Sequence, residues 1–172
     1  MDELQNAQAL GKHEIVPSFD REFMRVHSRS RSIIERVPAE LLYAGGEKAS
    51  SQRQSVSVGE SVLRAAAAIE QTFGGITANL WDDPFEWTLP EYLTTQGKVL
   101  DHLEDVESTR RRAFSSFTED SCLLKRVATP SNESQPLIEL LLETLVRATF
   151  YQSQAAVVLK NLSGISTAGF II

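Results

Sequence analysis

The segment 135–164 is the longest stretch of this chain that fits one uninterrupted helix, and it limits the folds open to the rest. Ser134 is a candidate cap, Pro136 suits a first helical turn, and Gly164 is a natural stop. About eight helical turns lie between these signals. One row at the three-and-four spacing of an amphipathic helix consists of Ile138, Leu141, Leu145, Ala148, Gln152, Ala155, Leu159 and Leu162. We therefore predict a long closing helix that packs against others.

This predicted helix has a second, largely apolar row beside the first. Only a narrow strip around Glu139 and Glu143 is plainly polar. A helix that is apolar on two sides needs cover on two sides. One interpretation gives the second side to a subunit partner in a homodimer, and the other makes this the central helix of a monomer. We favour the homodimer. The second row consists of Leu140, Thr144, Arg147, Tyr151, Gln154 and Val158.

Three members of the second row form the one cluster with a chemical character. Arg147, Tyr151 and Gln154 stand at i, i+4 and i+7, so they share one face of the helix. A guanidinium, a phenol and an amide on a mostly apolar row could line a polar pocket. From spacing alone the plainer interpretation is preferred, in which Arg147 extends its charge to solvent and Tyr151 is a half-buried packing residue.

Three further helices are predicted upstream, which makes the chain an all-α four-helix bundle with long connections. Each begins at a serine or threonine suited to cap a helix: about 19–37 after Ser18, about 57–73 with a Ser57–Glu60 capping box, and about 89–117 with a Thr88–Glu91 capping box. Gly74 and Gly75 are predicted to end the second helix. We predict a flexible arm over 1–17, the bundle over 18–164 and a tail over 165–172, with no convincing strand pair.

The remaining aromatic and histidine residues carry weaker signals. Trp81, Phe85 and Trp87 lie in the connection after the second helix, where aromatics usually plug the end of a bundle; a lid that contacts a ligand is the alternative. His27 is a single histidine, which carries little information. His102 lies among carboxylates without a second histidine one turn away, so a solvated acidic face is preferred over a metal site.

Composition excludes several classes of protein. The net charge of −6 disfavours binding to nucleic acid or to an anionic membrane. The single cysteine, Cys122, excludes an internal disulfide framework. The first sixteen residues are neither basic nor apolar enough for a signal peptide, and no stretch is apolar enough to cross a bilayer. The expected compartment is the cytoplasm.

The pattern of helices resembles the DinB/YfiT-like superfamily of four-helix bundles. Three blocks carry the resemblance: VPAELL at 37–42, SVGESVLRAAAAIEQTF at 57–73, and above all LVRATFYQSQAAVVLKNLSG at 145–164. The last block is similar to the closing helix of the family, whose glutamine and final glycine match Gln154 and Gly164. The resemblance covers most of the predicted bundle and implies its fold.

The resemblance also bears on metal binding. Members with the full motif hold a divalent metal on three histidines, one from the second helix and two from the last. Here the second-helix position falls on Arg64 or Ala65, and the last-helix positions fall on Arg147 and Tyr151. A tight site needs about three or four good protein ligands. The resemblance therefore implies the fold while the substitutions predict no metal and no cofactor, with Arg147 as a hypothetical replacement for the cation's charge.

Two functions are compatible with these observations. The first is a metal-free, dimeric bundle that is non-catalytic or binds a small molecule through Arg64, Arg147, Tyr151 and Gln154. The alternative, implied by metal-containing relatives, is a thiol-dependent transferase-like enzyme in which Arg147 binds a carboxylate or a thiolate and Tyr151 donates a proton. A role in DNA damage follows only from the family name, and the acidic charge disfavours direct contact with DNA.

Overall fold

The computed structural model describes residues 14–45, 56–86, 91–130 and 134–164. The protein is an all-α four-helix bundle, as predicted. Within the described residues, no helix is both long enough and apolar enough to cross a membrane. The four long helices are α1 (Ile15–Arg36), α2 (Val58–Ala78), α3 (Gln96–Phe114) and α4 (Leu137–Ser163).

The packing of α2 against α4 is the most extensive helix pairing in the bundle, and α3 packs on both α1 and α2. Small side chains allow this close approach, because the run 65–68 consists of four alanines that are all buried. The rings of Phe23, Phe73 and Phe114, from α1, α2 and α3, contact one another in the core. The core therefore contains small side chains in the middle of α2 and an aromatic cluster where α1, α2 and α3 meet.

The start of α2 follows the predicted capping box, but its end does not follow the predicted glycines. Ser57 Oγ accepts a hydrogen bond from Glu60 N–H, and the Ser57 N–H donates to the Glu60 carboxylate at 2.9 Å. The helix continues through Gly74 and Gly75 to Ala78, and Asn79 ends it in the left-handed conformation at φ 56°. A Cβ at Gly75 would lie 2.4 Å from the ring of Trp81. The absence of a side chain there allows packing rather than termination.

The start of α1 lies earlier than predicted, at Ile15, and Ser18 is not its cap. The Asp120 carboxylate accepts hydrogen bonds from the backbone N–H groups of Glu14, Ile15 and Val16 at 3.1, 3.1 and 2.9 Å. A carboxylate at this position satisfies N–H groups that the first helical turn leaves without partners. Of the predicted arm, residues 14–17 therefore belong to the ordered bundle, while residues 1–13 lie outside the described residues.

The third helix begins at Gln96 rather than near 89, and Thr95 caps it by accepting from the Lys98 N–H at 3.3 Å. The predicted capping residue Thr88 lies outside the described residues. Gln96 holds the first residue of α3 against the end of α1, because its side-chain amide donates to the carbonyl oxygens of Ile34 and Val37. The helix ends at Phe114, three residues before the predicted end.

A short antiparallel hairpin precedes α4, contrary to the prediction of no strand pair. Strands β1 (Arg126–Ala128) and β2 (Ser134–Pro136) each have three residues, too few to show an alternating pattern in the sequence. Ser134 consequently belongs to β2 and does not cap α4. Gly164 ends α4 at φ 66°, as predicted. The predicted tail, 165–172, lies outside the described residues.

Candidate functional site

Three of the four predicted site residues line one small pocket between α2 and α4. Arg147 and Tyr151 stand one turn apart on α4, and Arg64 reaches the same pocket from α2. The pocket has a volume of about 50 Å³, and we call it the arginine pocket. Its lining residues are Arg64, Ala67, Ala68, Gln71, Asp83, Phe85, Arg147 and Tyr151. Ala65, the other residue considered on α2, is fully buried in the core.

Hydrogen bonds to α2 hold the side chain of Arg147. Its Nη2 group donates to the carbonyl oxygen of Ala68 at 3.3 Å and to Gln71 Oε1 at 3.1 Å. The amide nitrogen of Gln71 in turn donates to the carbonyl oxygen of Trp81 at 2.8 Å. Gln71 thus joins the α4 arginine to the connection after α2, which fixes the position of the positive charge.

The guanidinium of Arg64 lies over an aromatic ring. Its Cζ atom is 3.9 Å from the centroid of the Phe85 ring, close enough for a cation–π contact. Asp83 Oδ1 accepts a hydrogen bond from the Phe85 N–H at 3.0 Å and so stabilises the short turn that carries this ring. The arginine pocket therefore combines two guanidinium groups with a single carboxylate among its lining residues.

A larger cavity of about 320 Å³ adjoins the arginine pocket, and Gln71 and Arg147 line both spaces. We call it the tryptophan cavity, because Trp81 forms part of its wall. Its other lining residues are Thr72, Thr129, Pro130, Leu140, Glu143 and Thr144. The two spaces lie side by side along the α2–α4 pairing, with Gln71 and Arg147 in the wall of both, and we call them together the cleft.

The aromatic connection borders this cleft. Trp81 lines the tryptophan cavity and Phe85 lines the arginine pocket, whereas Trp87 lies outside the described residues. Trp81 is also held in place, because its Nε1 group donates to Asn79 Oδ1 at 3.1 Å and its ring packs on Gly75. Two aromatic residues of this connection therefore form part of the walls of the cleft.

Gln154 does not line the arginine pocket. It lines a separate surface groove of about 580 Å³ beside the C-terminal half of α4. The structure thus separates it from Arg147 and Tyr151, although the three share one helix. The amide side chain that lines the arginine pocket is that of Gln71 on α2. The sequence held a signal for it, because Gln71 stands seven residues after Arg64 on α2, the same spacing that separates Gln154 from Arg147.

The two histidines in the described residues face carboxylates outside the cleft. His27 Nε2 lies 3.5 Å from Glu104 Oε1, and His102 Nε2 lies 3.5 Å from Glu70 Oε2. Within the described part of the chain, Glu70 Oε2 and His102 Nε2 are buried without a hydrogen-bond partner. Burial lowers the pKa of His102 and raises the pKa of Glu70, and the negative charge of Asp105 raises the pKa of Glu70 further.

Removing the Glu70 charge is expected to stabilise the protein only at higher pH. Because burial raises the pKa of Glu70 in the folded state, the folded protein is most stable while this carboxyl is protonated. That contribution to stability is fully present below the unfolded pKa of 4.5, and it is lost as the pH rises through the folded pKa. Glu70→Gln should therefore match the wild type near the unfolded pKa and exceed it at neutral pH. The gain should be about 0.5 kcal/mol, since solvent screens a side chain that is 36% exposed.

Urea unfolding across the acidic and neutral range measures this difference in the free energy of unfolding. Glu91→Gln is the matched control, because Glu91 is an exposed glutamate in a connection and its replacement should leave stability unchanged at every pH. A constant Glu70→Gln effect across the range would contradict a buried, pH-dependent charge.

Inside the bundle, one polar residue that the sequence placed in the apolar row has a structural role. Gln152 is buried, and its amide donates to the carbonyl oxygen of Val26 at 2.7 Å and to Ser30 Oγ at 2.9 Å. These bonds join α4 to α1. A glutamine within an apolar helical row predicts such a buried partner, although not which one.

The residues at the resemblance's metal positions do not fit a divalent cation. The arginine pocket presents the guanidinium groups of Arg64 and Arg147, which repel a cation, and the phenol of Tyr151. Among the described residues, no group of three or more histidine, cysteine, aspartate or glutamate side chains is placed to hold a metal ion. The lining instead carries more positive than negative charge, with the guanidinium groups of Arg64 and Arg147 against the carboxylate of Asp83.

Comparisons with protein-family models, with curated proteins and with solved structures found no match to this chain. The resemblance to the DinB/YfiT-like superfamily therefore stays a prediction from the sequence pattern. The function of this protein has to be inferred from the geometry of the cleft between α2 and α4.

Proposed function

We propose that this protein binds a small anionic molecule, a carboxylate or a phosphate ester, in the cleft between α2 and α4. The observation that supports the proposal is the meeting of Arg64, Arg147 and Tyr151 in one pocket that lies beside a cavity of about 320 Å³. A pair of guanidinium groups beside a phenol is a donor set suited to planar or tetrahedral oxyanions.

The donors of Arg147 are only partly used by the protein. Within the described part of the chain, Arg147 donates through Nη2 alone, to Ala68 and Gln71. A guanidinium has five N–H donors, so those on Nη1 and Nε remain for a ligand. The cation–π contact with Phe85 holds Arg64 without neutralising its charge. Pre-positioned donors lower the ordering cost of binding.

The tryptophan cavity limits the size and the polarity of the rest of the ligand. Its volume lies at the lower end of the range for small-molecule sites, roughly 300–1,000 Å³. Trp81 and Leu140 offer apolar and aromatic contact, whereas Glu143 in the same wall repels a second negative charge. We therefore infer a ligand with one anionic end at Arg147 and a compact apolar or aromatic body.

Isothermal titration calorimetry with matched aromatic probes tests this proposal. Benzoate and phenyl phosphate carry the anionic group, and benzamidine carries a cationic group on the same ring. We expect saturable binding of at least one anionic probe and none of benzamidine. Arg147→Gln and Arg64→Gln should each weaken binding about 10- to 100-fold, the value of a lost charged hydrogen bond. Arg112→Gln, an exposed arginine on α3, is the control and should bind as the wild type does.

Two outcomes would contradict the proposal. One is the absence of any heat with both anionic probes while the protein is folded by circular dichroism. The other is unchanged affinity in both arginine variants, which would place the ligand elsewhere. Quenching or enhancement of tryptophan fluorescence offers a second readout, because Trp81 lines the cavity.

The presence of Tyr151 beside Arg147 also supports the transferase-like alternative. In that case Arg147 binds the anionic group of a substrate or a thiolate, and the Tyr151 hydroxyl donates a proton to the leaving atom. Turnover of an epoxide such as styrene oxide with glutathione would distinguish an enzyme from a binding protein, because the thiolate forms a C–S bond as the ring C–O bond breaks and the alkoxide oxygen takes the Tyr151 proton. Tyr151→Phe should then remove turnover and retain the affinity for benzoate.

A further inference from the structure

One side of α4 is apolar and exposed along most of its length. Leu142, Val146, Phe150 and Val157 are 49%, 68%, 58% and 55% exposed. Their spacing of four, four and seven residues places them on one side of the helix. We call these four residues the α4 face. An apolar helix face that the rest of the chain leaves exposed is typical of an interaction surface.

The α4 face is distinct from the second apolar row that the sequence suggested for a partner. In that row Leu140 and Thr144 are buried within the bundle, and Arg147 bonds to α2. Thr144 also exchanges a 2.7 Å hydrogen bond with Thr72 of α2. The chain itself therefore covers much of the second row, and the strip that begins at the two glutamates carries the exposed apolar residues.

The two ends of the α4 face carry opposite charges. Glu139 lies on the same side of the helix at the N-terminal end, and Lys160 lies on it at the C-terminal end; both are exposed. They stand twenty-one residues apart, about 32 Å along the axis. Phe150 lies midway between them. Along the face an acidic residue is thus followed by the apolar residues and then by a basic residue. Two copies of this face that run in opposite directions would place the acidic end of each opposite the basic end of the other.

The shape of the surface is also self-complementary. A groove of about 580 Å³ runs beside the C-terminal half of α4, and its wall includes Phe150, Val157 and Val158 with Ala44 and Val56 from the α1–α2 connection. Leu142 and Val146 project from the N-terminal half. In an antiparallel pair the projecting half of each helix meets the grooved half of the other.

We propose that the α4 face is a two-fold interface with a second copy of this chain, in which the two α4 helices run antiparallel and cross at Phe150. In that register Phe150 meets the partner's Phe150, Leu142 meets the partner's Val157, and Glu139 meets the partner's Lys160. Apolar contact, opposite charge and projection-to-groove fit coincide in this one arrangement. A parallel pair would instead place like charges opposite each other at both ends.

This interface is independent of the proposed anion site. Arg64 and Tyr151 are not on the α4 face, and the cleft opens between α2 and α4 rather than on the exposed side. A dimer without ligand binding, or ligand binding in a monomer, would each contradict one proposal and leave the other intact. The contact consists of one helix and its flanking groove, so we expect a micromolar dimer rather than an obligate one.

Sedimentation equilibrium of the full chain between about 1 and 200 µM tests the proposal, since this range brackets a micromolar dissociation constant. The wild type should associate reversibly to a dimer. Phe150→Glu places two carboxylates at the two-fold axis and should raise the dissociation constant more than 100-fold, leaving a folded monomer by circular dichroism. Leu124→Glu is the matched control, because Leu124 is equally apolar and 72% exposed but lies outside the face, so this variant should dimerise normally.

Charge reversal tests the antiparallel register. Glu139→Lys and Lys160→Glu should each weaken the dimer about tenfold, because each turns two attractive pairs into repulsive ones. The double variant should regain wild-type affinity. A wild type that stays monomeric throughout the range, a Phe150→Glu dimer, or a double variant no tighter than the single ones would each overturn the proposal. A monomer would leave the segment 165–172 or a different protein as the occupant of the face.

Discussion

Phe23→Ala is expected to lower the free energy of unfolding by about 3–5 kcal/mol, the usual cost of truncating a buried phenylalanine. Phe23 is completely buried, and its ring centroid lies 5.2 Å from that of Phe73 in an edge-to-face contact and 5.8 Å from that of Phe114. Phe73 and Phe114 lie 5.6 Å apart. Because the three rings come from α1, α2 and α3, the cavity left by alanine would open where three helices meet.

Urea unfolding followed by far-ultraviolet circular dichroism measures this loss. Protein concentration must be held fixed, because a dimer would make apparent stability concentration-dependent. Met24→Ala is the matched control: it is the next residue on α1, it is 49% exposed, and it should change stability by less than about 0.5 kcal/mol. Equal losses for the two variants would contradict the central position of the aromatic cluster.

The sequence predicted those parts of the fold whose signals are local. The start of α2 depends on Ser57 and Glu60, three residues apart, and the end of α4 depends on Gly164 alone. The start of α1 could not be predicted in this way, because Asp120 supplies its cap from more than a hundred residues away. The predicted end of α2 at Gly75 was wrong for a related reason. Gly75 leaves space for the ring of Trp81, a contact that no local sequence pattern shows.

The candidate site likewise has some residues that local spacing indicates and others that only the fold brings together. Spacing on one helix grouped Arg147 with Tyr151, and Arg64 was named only through the resemblance; all three line the same pocket. Gln154 stands seven residues from Arg147 but lines the separate groove beside the C-terminal half of α4, because spacing along one helix does not show where a pocket formed with a second helix ends. Phe85 could not be predicted as a lining residue, because its position depends on the path of the connection after α2.

The strip on α4 that begins at Glu139 and Glu143 changes character along the helix. The sequence analysis identified it as polar only around these two glutamates. Beyond Glu143 the same strip carries Val146, Phe150 and Val157, all more than half exposed. Beyond its two glutamates the strip is therefore apolar and exposed, which the charges at its beginning do not indicate.

Arg110→Met is expected to lower the free energy of unfolding by about 3–5 kcal/mol, because it leaves a buried carboxylate without its partner. The Arg110 side chain is 3% exposed, and its Nε and Nη2 groups donate to the two Glu107 oxygens at 2.8 and 2.7 Å. Its Nη1 group donates to Asp20 on α1. Burial alone would lower the pKa of Arg110, but the hydrogen bonds to both carboxylates outweigh it and raise that pKa.

A paired replacement separates the loss of the arginine from the burial of the glutamate. Glu107→Leu in the same chain removes the orphaned charge and fills the space with apolar atoms, so the double variant should recover most of the stability that Arg110→Met loses. Asp20 then remains at 47% exposure, where water solvates it. Arg112→Met, an exposed replacement on the same helix, should change little. A double variant as unstable as Arg110→Met would show that the guanidinium stabilises the α1–α3 contact by bonding Asp20, and that the cost does not lie in the unpaired Glu107.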